Sequence, residues 1–598
     1  YAKGRKNRKK EIVKELDNIL TEYREWLLNI TILDPACGSG AFLNQALEFL
    51  IEEHKRIDEL KAQLLGGSIV FSDIETKILE KNIYGVDLNE ESVEIAKLSL
   101  WLRTAQKGRK LTTLSNHIKC GNSLIDDPEI VGKKAFNWQK EFPEVFANGG
   151  FDVVIGNPPY ITFALGAKQK HNEEITEYLK ISYPLSSAYK VSSYLIFIEV
   201  GLRLLNEMGK LSYIIPNTYH TNYFYKEFRA FLIDNFQIEE IIDTRYKVFD
   251  DAEMGYTSIP TFSKNRKNCK TKLIRINTPS EFSHPTGFEM DSTEFKKFPD
   301  SKFLFQKELM AIWFKSQLDS IRLSDNSFTF YNGTKTGNNN KFLTDNKINN
   351  FCEPVLRGKD FYRYQLKPFE KYIIFDKDVL WSNTNDEHFK VESKLLIRRT
   401  SDHLAVAYDN KQHYVLDTIH ILYSNSSNYL NSYLLALLNS KLFHTLYQLI
   451  VPESGKAFAE VKIINLKKLP VKKCNSDIQN ELGKKALLIQ ELNISVLEQT
   501  KTLIDFLQSK LNIETITTTL ELWYNLEFKI FLKELKKSKI SLSLSEEVEW
   551  MKYFNEEKNK VQNLLSEINK FEREINYMIY ELYSLTEQEI KIVEATEI

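Results

Sequence analysis

The feature that most constrains the fold is a repeated pattern, in which a short apolar segment ends in a polar turn. The segments 31–33, 82–86, 118–120 and 151–155 each read as a buried strand, and an apolar pattern of helical spacing follows the first two. Strands that alternate with helices predict a doubly wound α/β sheet. Polar residues directly after such strands predict a ligand site at the carboxyl edge of the sheet.

The same alternation continues along the chain and extends the predicted sheet. The apolar periodicity predicts helices over 194–208 and 223–236 and strands over 211–216 and 238–244. A chain of 598 residues exceeds one hydrophobic core, so roughly two to four domains are expected.

The turn after the first strand reads Asp-Pro-Ala-Cys-Gly-Ser-Gly over 34–40. Its glycines let the backbone approach a ligand closely, and Asp34 at the strand tip would meet a cationic or hydroxylated group. The G-x-G-x-x-G spacing of a dinucleotide site is absent, and a plain small-residue turn is the alternative.

Two later strand tips repeat this logic. Asp87 ends the second strand, where it would hold a ribose diol, although it follows Asp34 at well over the usual spacing of roughly 20 residues. A helical insertion over 47–65 accounts for the excess. Asn122 follows the third strand and would reach an adenine amino group, with an ordinary turn as the alternative.

The fourth strand leads into Asn157-Pro158-Pro159-Tyr160. Each proline fixes its own φ and holds the preceding residue extended. The Asn157 side-chain oxygen and the Pro158 carbonyl therefore form two acceptors on one rigid loop, which suits a planar amino group, and Tyr160 is placed to stack on the ring that carries it. A tight Asn-Pro turn without function is the alternative.

The motifs DPACGSG, IYGVD and NPPY, in that order and followed by a long C-terminal extension, resemble the gamma-class adenine-N6 DNA methyltransferases. Within that class the chain is most similar to the Type IIG restriction-modification methylases. The resemblance implies a Rossmann-like methyltransferase domain that uses S-adenosylmethionine. The implied catalytic residues are Asn157, Pro158, Pro159 and Tyr160, and the implied cofactor-binding residues are Asp34, Pro35, Ala36, Cys37, Gly38, Gly40, Phe42, Asp87, Leu88, Asn122 and Ser123.

In this family an aromatic residue shortly before an arginine stacks on the flipped base. The segment 223–229 fits, with Tyr225 as the favoured residue and packing of its ring in the core as the alternative. The family also has a tyrosine-threonine-proline segment before the first motif, and residues 1–30 lack it. We therefore expect that segment upstream of Tyr1.

Composition changes over 269–300, which predicts a domain boundary. Basic and aromatic residues interleave over 353–364, as contacts to DNA require, and this stretch resembles the LRG-D-RY segment of family target-recognition domains. A helix is predicted over 434–449. The DNA-binding candidates of this α+β domain are Arg357, Lys359, Arg363, Lys456, Lys467 and Lys468, and solvated strands protected by lysine are the alternative.

Two further stretches have distinct patterns. The glycine-asparagine loop over 332–341 lacks the order of a phosphate-binding Walker loop. From residue 476 the apolar spacing predicts two antiparallel helices with a coiled-coil seam, which would act as a spacer. The predicted domains are a helical lead-in over 1–29, a methyltransferase domain over 30–275, a target-recognition domain over 300–473 and a helical region over 476–598.

Composition limits the environment. The net charge of −1 argues against a uniformly basic protein but not against a local basic face. The five cysteines form no C-x-x-C pair, and there is no long apolar span, so we expect a cytoplasmic protein without a metal site or a membrane segment.

The sequence therefore predicts methylation of adenine N6 in double-stranded DNA within a restriction-modification or phage-defence system. One alternative is a bifunctional Type IIG endonuclease whose nuclease domain lies upstream of Tyr1 or in a partner subunit. A methyltransferase for RNA or for protein glutamine is a second alternative, and a non-enzymatic DNA-reading subunit is a third.

Overall fold

The computed structural model describes residues 10–66, 74–104, 114–163, 170–187, 191–249, 255–266, 269–451, 460–511, 513, 515–538 and 540–596. The chain divides into two compact units, Tyr1–Lys307 and Glu308–Ile598. The division falls a few residues beyond the compositional change at 269–300. The finer division of the second unit into a recognition and a helical domain stays a prediction.

The first unit combines helices with one large sheet. Its helices are α1 (Lys10–Asn29), α2 (Ala41–Leu65), α3 (Ile74–Lys81), α4 (Glu90–Thr104), α5 (Pro128–Val131), α6 (Trp138–Glu141), α7 (Pro143–Ala147), α8 (Lys170–Ser182), α9 (Ser193–Leu204) and α10 (Lys226–Asn235). Its strands are β1 (Ile32–Asp34), β2 (Ile83–Asp87), β3 (Ile118–Cys120), β4 (Phe151–Gly156), β5 (Thr162–Phe163), β6 (Val191–Ser192), β7 (Leu205–Tyr213), β8 (Ile215–Pro216), β9 (Gln237–Thr244), β10 (Thr257–Ser263), β11 (Lys270–Ile276) and β12 (Gly287–Asp291).

The large sheet is mixed, and among the described residues its strands run in the order β12-β11-β9-β10-β7-β4-β1-β2-β3, with β8 beside β10. The strands β4, β1, β2 and β3 are parallel, since Ile32 pairs with both Ile83 and Val153, and Gly85 pairs with Ile118. Their carboxyl ends therefore lie side by side at one edge, as the sequence predicts.

Helices α2 and α4 cover this part of the sheet. Leu43 and Leu47 of α2 and Ala96 and Leu100 of α4 join one buried cluster with the strand residue Ile83 and its apolar neighbours. Helix α2 runs unbroken for 25 residues, so the helical insertion predicted at 47–65 is present as a continuation of this helix.

The strand after α9 begins earlier than the periodicity indicates. The helix predicted over 194–208 ends at Leu204, and the segment from Leu205 onward is strand β7. The prediction was wrong there because β7 pairs in parallel with β4, in which Phe151 lies opposite Leu205, and Asn206 Nδ2 donates to Asp152 Oδ1 over 2.7 Å. Pairing with a strand far away in sequence outweighs the local apolar spacing.

The second unit contains several smaller sheets and two long helices. Its helices are α11 (Lys307–Gln317, beginning one residue before the division), α12 (Asn339–Phe342), α13 (Asn431–Leu438), α14 (Lys441–Ile450), α15 (Ile463–Leu466), α16 (Ser476–Leu511), α17 (Thr518–Glu521), α18 (Phe528–Lys537), α19 (Leu544–Leu582) and α20 (Glu587–Glu594). Its strands are β13 (Ser320–Arg322), β14 (Phe328–Asn332), β15 (Leu343–Thr344), β16 (Cys352–Leu356), β17 (Phe361–Tyr362), β18 (Gln365–Leu366), β19 (Lys371–Ile374), β20 (Lys394–Arg398), β21 (Val406–Asp409), β22 (Tyr414–Val415), β23 (Ile419–Ser424) and β24 (Pro470–Lys472).

Two four-stranded sheets form the centre of this unit, in the orders β14-β23-β20-β21 and β15-β19-β16-β22. The single helix predicted over 434–449 is two helices, α13 and α14, so that prediction was wrong. The break has a tertiary cause: Asn439 Nδ2 donates to the Val406 carbonyl over 2.8 Å, and Ser440 Oγ accepts from Phe443 N over 3.3 Å as the cap of α14.

The long helices α16 and α19 are antiparallel, as predicted. Lys485 forms an ion pair of 2.6 Å with Glu574, and Gln499 donates to Glu557. The later residue of α16 therefore contacts the earlier residue of α19, which means that the two helices run in opposite directions. The segment between the helices packs on them, since Trp523 is buried and donates to the Thr500 carbonyl over 3.2 Å. The coiled-coil seam itself stays a prediction.

Within the described ranges, no helix is both long and apolar enough to cross a membrane. The same ranges contain no cluster of three histidine, cysteine or acidic side chains that would hold a metal ion.

Candidate active site

The turn between β1 and α2 is shaped by two glycines in the left-handed region. Gly38 has φ +52° and Gly40 has φ +86°, which side chains with a Cβ adopt only with strain. A Cβ on Gly38 would meet no atom within 4 Å, so the backbone here faces open space. The geometry suits a ligand that lies directly against the main chain.

Asp87 at the end of β2 holds this turn in place. Its Oδ2 accepts a hydrogen bond of 2.9 Å from Gly38 N, and its Oδ1 accepts one of 2.9 Å from Asn89 N. The residue is half-buried, while Leu88 beside it is 56% exposed. Asp87 therefore has a structural role in addition to its predicted contact with the cofactor.

Asp34 at the end of β1 is a buried carboxylate. It is 2% exposed, and its Oδ1 accepts a hydrogen bond of 3.0 Å from Ala36 N. Burial raises the pKa of Asp34 to about 7, the hydrogen bond from Ala36 opposes that shift, and the neighbouring Asp87 adds to it. Among the described lysines, arginines and histidines, none forms an ion pair with Asp34 or Asp87. Two carboxylates without a cation between them are complementary to a cationic ligand.

The candidate catalytic segment, residues 157–160, begins directly next to Asp34. Gly156 ends β4 with φ +153°, and a Cβ at this position would lie 2.6 Å from Asp34 Oδ1. Only glycine allows the fourth strand to pass so close to the carboxylate. The predicted cofactor turn and the Asn-Pro-Pro-Tyr segment therefore meet at one point of the sheet edge.

The third strand tip joins the same site. Ser123 Oγ donates to the Pro35 carbonyl over 2.5 Å, and Ser123 is 7% exposed. Asn122 Oδ1 accepts from Leu124 N over 3.1 Å, so one lone pair of that oxygen stabilises its own turn. Trp138 Nε1, at the start of α6, donates to the Ser123 carbonyl over 3.1 Å and connects the turn to that helix. The remaining predicted cofactor residues, Pro35, Ala36, Cys37, Gly40 and Phe42, belong to the first turn and the start of α2.

In the catalytic segment, Asn157 is half-buried, Pro158 is buried and Pro159 is exposed. The Tyr160 hydroxyl lies within hydrogen-bond distance of Asn157 Oδ1 and, at 2.7 Å, of the Ile214 carbonyl. Burial raises the pKa of Tyr160, so its hydroxyl stays a proton donor near neutral pH. Its one proton lies within reach of both acceptors, so Tyr160 contacts Asn157 before any ligand arrives.

Ser193, which begins α9, was missed by the sequence reasoning. It is 2% exposed, its Oγ donates to the Pro159 carbonyl and accepts from Ile161 N over 2.8 Å, and Ser193 N donates to the Ile161 carbonyl over 2.9 Å. These bonds fasten the end of the catalytic segment to a buried helix. The local signal, a serine before an apolar helix, is also that of an ordinary cap.

The aromatic segment 223–225 lies in a short helical turn. Tyr225 is 9% exposed and close enough to Tyr194 to raise the pKa of that residue, after burial as the larger cause. The rings of Tyr194 and Tyr160 meet edge to face with centroids 6.4 Å apart. Tyr223 and Phe224 are 38% and 41% exposed. The stacking role of Tyr225 stays a prediction.

In the second unit, both candidate arginines have partners within the unit. Arg357 donates to Asp360 from Nε over 2.9 Å and to Glu370 from Nη2 over 2.6 Å. Arg363 donates from Nε to the Asn439 carbonyl over 2.8 Å and pairs with Glu572 over 3.0 Å. These contacts give each arginine a structural role, and direct contact with DNA stays a prediction.

The candidate lysines differ from one another. Lys359 and Lys467 are exposed, whereas Lys468 is half-buried and donates to Asn465 Oδ1 over 3.3 Å. Lys456 lies outside the described residues.

Replacing Asp34 by asparagine is expected to stabilise the ligand-free protein at pH 8. With a folded-state pKa near 7 and an ordinary value of 3.8, the contribution of Asp34 to stability is present below pH 4 and is lost as pH rises to 7. Asparagine keeps an acceptor for Ala36 N without the buried charge, so we expect a gain on the order of 2–4 kcal/mol at pH 8 that shrinks toward pH 4. Denaturant unfolding of both proteins across this pH range measures it.

The matched control is Asp152→Asn on the neighbouring strand. Asp152 Oδ2 accepts from Thr31 N over 2.8 Å and Oδ1 accepts from Asn206 Nδ2, so this carboxylate is well satisfied and its replacement is expected to destabilise. Equal destabilisation by both substitutions at pH 8 would show that Asp34 is not an unpaired buried charge.

Comparison with known proteins defines the class. Residues 81–249 match the model of the Eco57I restriction-modification methylase, and residues 353–471 match that of the TaqI-like C-terminal specificity domain. A family described only as a domain of unknown function matches residues 475–579. The chain thus carries an Eco57I-like restriction-modification methylase domain followed by a TaqI-like specificity domain, and the predicted resemblance to restriction-modification methylases is confirmed.

Parts of the chain are similar to individual proteins. The type II restriction enzyme and methyltransferase RM.Eco57I of Escherichia coli is 32% identical over 39% of this chain and 25% of its own length. The type II methyltransferase M.BstVI of Geobacillus stearothermophilus is 26% identical over 44% of this chain and 43% of its own. A structure of the Type IIL restriction-modification enzyme MmeI in complex with DNA is 13% identical, covers 97% of this chain and 76% of that chain, and has a TM-score of 0.46. The chain spans about half or less of the length of the curated relatives it matches first.

Proposed function

We propose that this protein transfers a methyl group from S-adenosylmethionine to the N6 atom of an adenine in double-stranded DNA, within a restriction-modification system. The observation that carries the proposal is the junction of Asp34 with Gly156. At this junction, Asp34 and the neighbouring Asp87, which have no ion-pair partner among the described residues, lie next to the proline-rich segment 157–160 with its hydrogen-bond acceptors. The first half of this arrangement suits the cofactor and the second half suits the target base.

The residues at the sheet edge fit the cofactor. S-adenosylmethionine carries an ammonium and a sulfonium, and Asp34 and Asp87 are acidic groups that form no ion pair with the described cationic side chains. The open backbone at Gly38 leaves room for its methionine part, while Phe42 and Leu88, which are 37% and 56% exposed, offer apolar surface to its adenine ring. When bound, the cofactor supplies the methyl group. The finer fold assignment, a Rossmann-like doubly wound domain, belongs to this proposal.

The catalytic segment is suited to hold the amino group of the target base. A base in a duplex has to leave the stack to reach a site at a sheet edge, at a cost of a few kcal/mol. Asn157 Oδ1 and the Pro158 carbonyl would accept hydrogen bonds from the two amino hydrogens and draw electron density onto the nitrogen as it attacks the methyl carbon. The N–C bond would form as the S–C bond breaks, the thioether S-adenosylhomocysteine would leave, and the methylated nitrogen would lose one proton to solvent. The Tyr160 hydroxyl holds Asn157 in this orientation, and Ser193 holds the backbone that follows. Preorganised acceptors of this kind act mainly by positioning.

The second unit would supply sequence recognition. The match to a specificity domain covers Arg357, Lys359, Arg363, Lys467 and Lys468. Lysines on the surface would contact phosphates, and base reading would come from side chains that reach a groove. We propose the long helices as a spacer and the cytoplasm as the compartment, where cellular DNA is accessible.

Two alternatives remain distinct. A Type IIG enzyme would add a nuclease domain upstream or a partner subunit, and a methyltransferase for RNA or protein glutamine would share the Asn-Pro-Pro-Tyr segment. Incubation of the protein with labelled S-adenosylmethionine and separate DNA, RNA and protein acceptors tests the second alternative, and an assay for DNA cleavage tests the first. Label in DNA that appears as N6-methyladenine supports the proposal, and label only in RNA or protein refutes it.

Replacing Asp87 by alanine is expected to weaken binding of S-adenosylmethionine by about 1.5–3 kcal/mol, the range for hydrogen bonds to a charged group. The substitution also releases Gly38 N and Asn89 N, so the turn loses its support. Calorimetric titration measures the dissociation constant. An unchanged constant in a folded variant would remove Asp87 from the site, and Asp126→Ala, at an exposed acid beyond β3, serves as the control.

A further inference from the structure

Trp381 of the second unit has an exposed indole ring to which the proposed function assigns no role. It lies within the residues that match the specificity domain. The residue is 69% exposed, which is more than any other described tryptophan. A single exposed apolar side chain is common on protein surfaces, so the case for a binding role rests on the groups that surround the ring. Tryptophan is also among the residues that contribute most to binding when they become buried at an interface.

The ring is held on a rigid support. The backbone N–H groups of Trp381 and Ser382 donate to the Lys335 carbonyl over 3.0 and 3.2 Å, and Lys335 N donates to the Ser382 carbonyl over 3.1 Å. A Cβ on Gly337, which has φ +80°, would lie 3.2 Å from the indole carbon Cε3. The loop 332–341, which the sequence singled out without a role, therefore forms the platform on which this ring rests.

Cations accompany the ring. Lys335 Nζ lies 4.6 Å from the centre of the Trp381 ring, and Lys341 Nζ lies 5.2 Å from that of Phe342. Within the described ranges, neither lysine forms an ion pair, whereas the nearby Asp386 is paired with Lys377 and Lys390. The platform thus presents an aromatic face and positive charge that no acid neutralises.

We propose that Trp381 and Lys335, together with the exposed asparagines 338–340, form a contact surface for duplex DNA, an inference that rests on the proposed function. An indole can pack against the sugars of the DNA backbone, a lysine neutralises a phosphate, and an asparagine side chain can bond a base edge in a groove. Because the backbone bonds of this support are already formed, little backbone entropy is lost on binding.

The test is binding of the full chain to a labelled duplex that contains the site methylated in a host expressing the protein. Trp381→Ala is expected to weaken binding at least about tenfold, and Trp381→Phe is expected to restore most of it. Lys335→Gln should reduce the slope of affinity against salt concentration by about one unit. Tyr577→Ala, which removes another ring that is 61% exposed in the same unit, is the control.

Fluorescence, binding, methylation and unfolding together separate the outcomes. Quenching of tryptophan fluorescence by DNA should be smaller in Trp381→Phe than in the unaltered protein. If the unaltered protein binds and methylates DNA while all three variants match it, this surface is not a DNA contact and the proposed function stands. If the unaltered protein neither binds nor methylates DNA, both the proposed function and this inference are refuted. Because Trp381 is exposed, its replacement is expected to leave the unfolding curve unchanged. Unchanged curves would exclude misfolding as the cause of weaker binding.

Discussion

Replacing Asn157 by alanine is expected to lower the methylation rate at least about a thousandfold while leaving the affinity for S-adenosylmethionine nearly unchanged. Asn157 follows Gly156 at the tip of β4, on the side of the junction that we propose for the target base. The turn of the cofactor site is held by Asp87 and Ser123, whose bonds the substitution leaves intact. Single-turnover methylation and calorimetric titration measure the two quantities separately.

Two further variants sharpen this prediction. Asn157→Ala also removes a partner of the Tyr160 hydroxyl, so Tyr160→Phe, which keeps the ring, tests that bond by itself and is expected to have a smaller effect. Asn148→Ala is the control, because Asn148 is exposed beyond the opposite end of the same strand. Loss of cofactor binding in a folded Asn157→Ala protein, or full activity, would contradict the assignment.

Replacing Arg229 by methionine is expected to destabilise the first unit by about 3–5 kcal/mol. Arg229 is fully buried and donates from Nη1 to the carbonyls of Tyr219 and Asn222 over 2.7 and 2.8 Å. Its Nη2 donates to the Asp300 carbonyl over 2.7 Å. Methionine fills a similar volume but takes these donors away from the carbonyls, and an unmade buried hydrogen bond costs more than a made one gains.

Burial lowers the pKa of Arg229 to about 10, so the side chain remains charged across the range of an unfolding experiment. Chemical denaturation measures the change, and Arg266→Met is the control, since exposed Arg266 donates to the Asp234 carbonyl over 2.8 Å. Its replacement is expected to cost less than about 1 kcal/mol. Equal effects of the two substitutions on the free energy of unfolding would show that the buried hydrogen bonds of Arg229 stabilise the unit no more than the exposed one of Arg266.

Local sequence was sufficient to predict the strand tips. Asp34, Asp87 and Gly156 end the strands β1, β2 and β4, and the parallel order of these strands brings their tips to one edge. The predictions succeeded because a strand, its turn and the following helix are encoded within some twenty consecutive residues, where periodicity and turn residues report directly on structure.

The predictions failed where a distant segment decided the outcome. The helix after Tyr194 ends early because β7 pairs with β4, and the helix after Leu434 breaks because Asn439 bonds to the backbone of Val406. Periodicity within the segment carries no record of either partner.

The sequence by itself determined the residue types, spacing and order of the candidate active site, together with its relation to restriction-modification methylases. Only the tertiary structure decided that Asp34 is a buried carboxylate without a cation, that Ser193 fastens the catalytic segment, and that Arg357 and Arg363 have partners inside their unit. The physical reason is that burial, pKa and ion pairing depend on neighbours in space, which a single sequence names only when they are also neighbours along the chain.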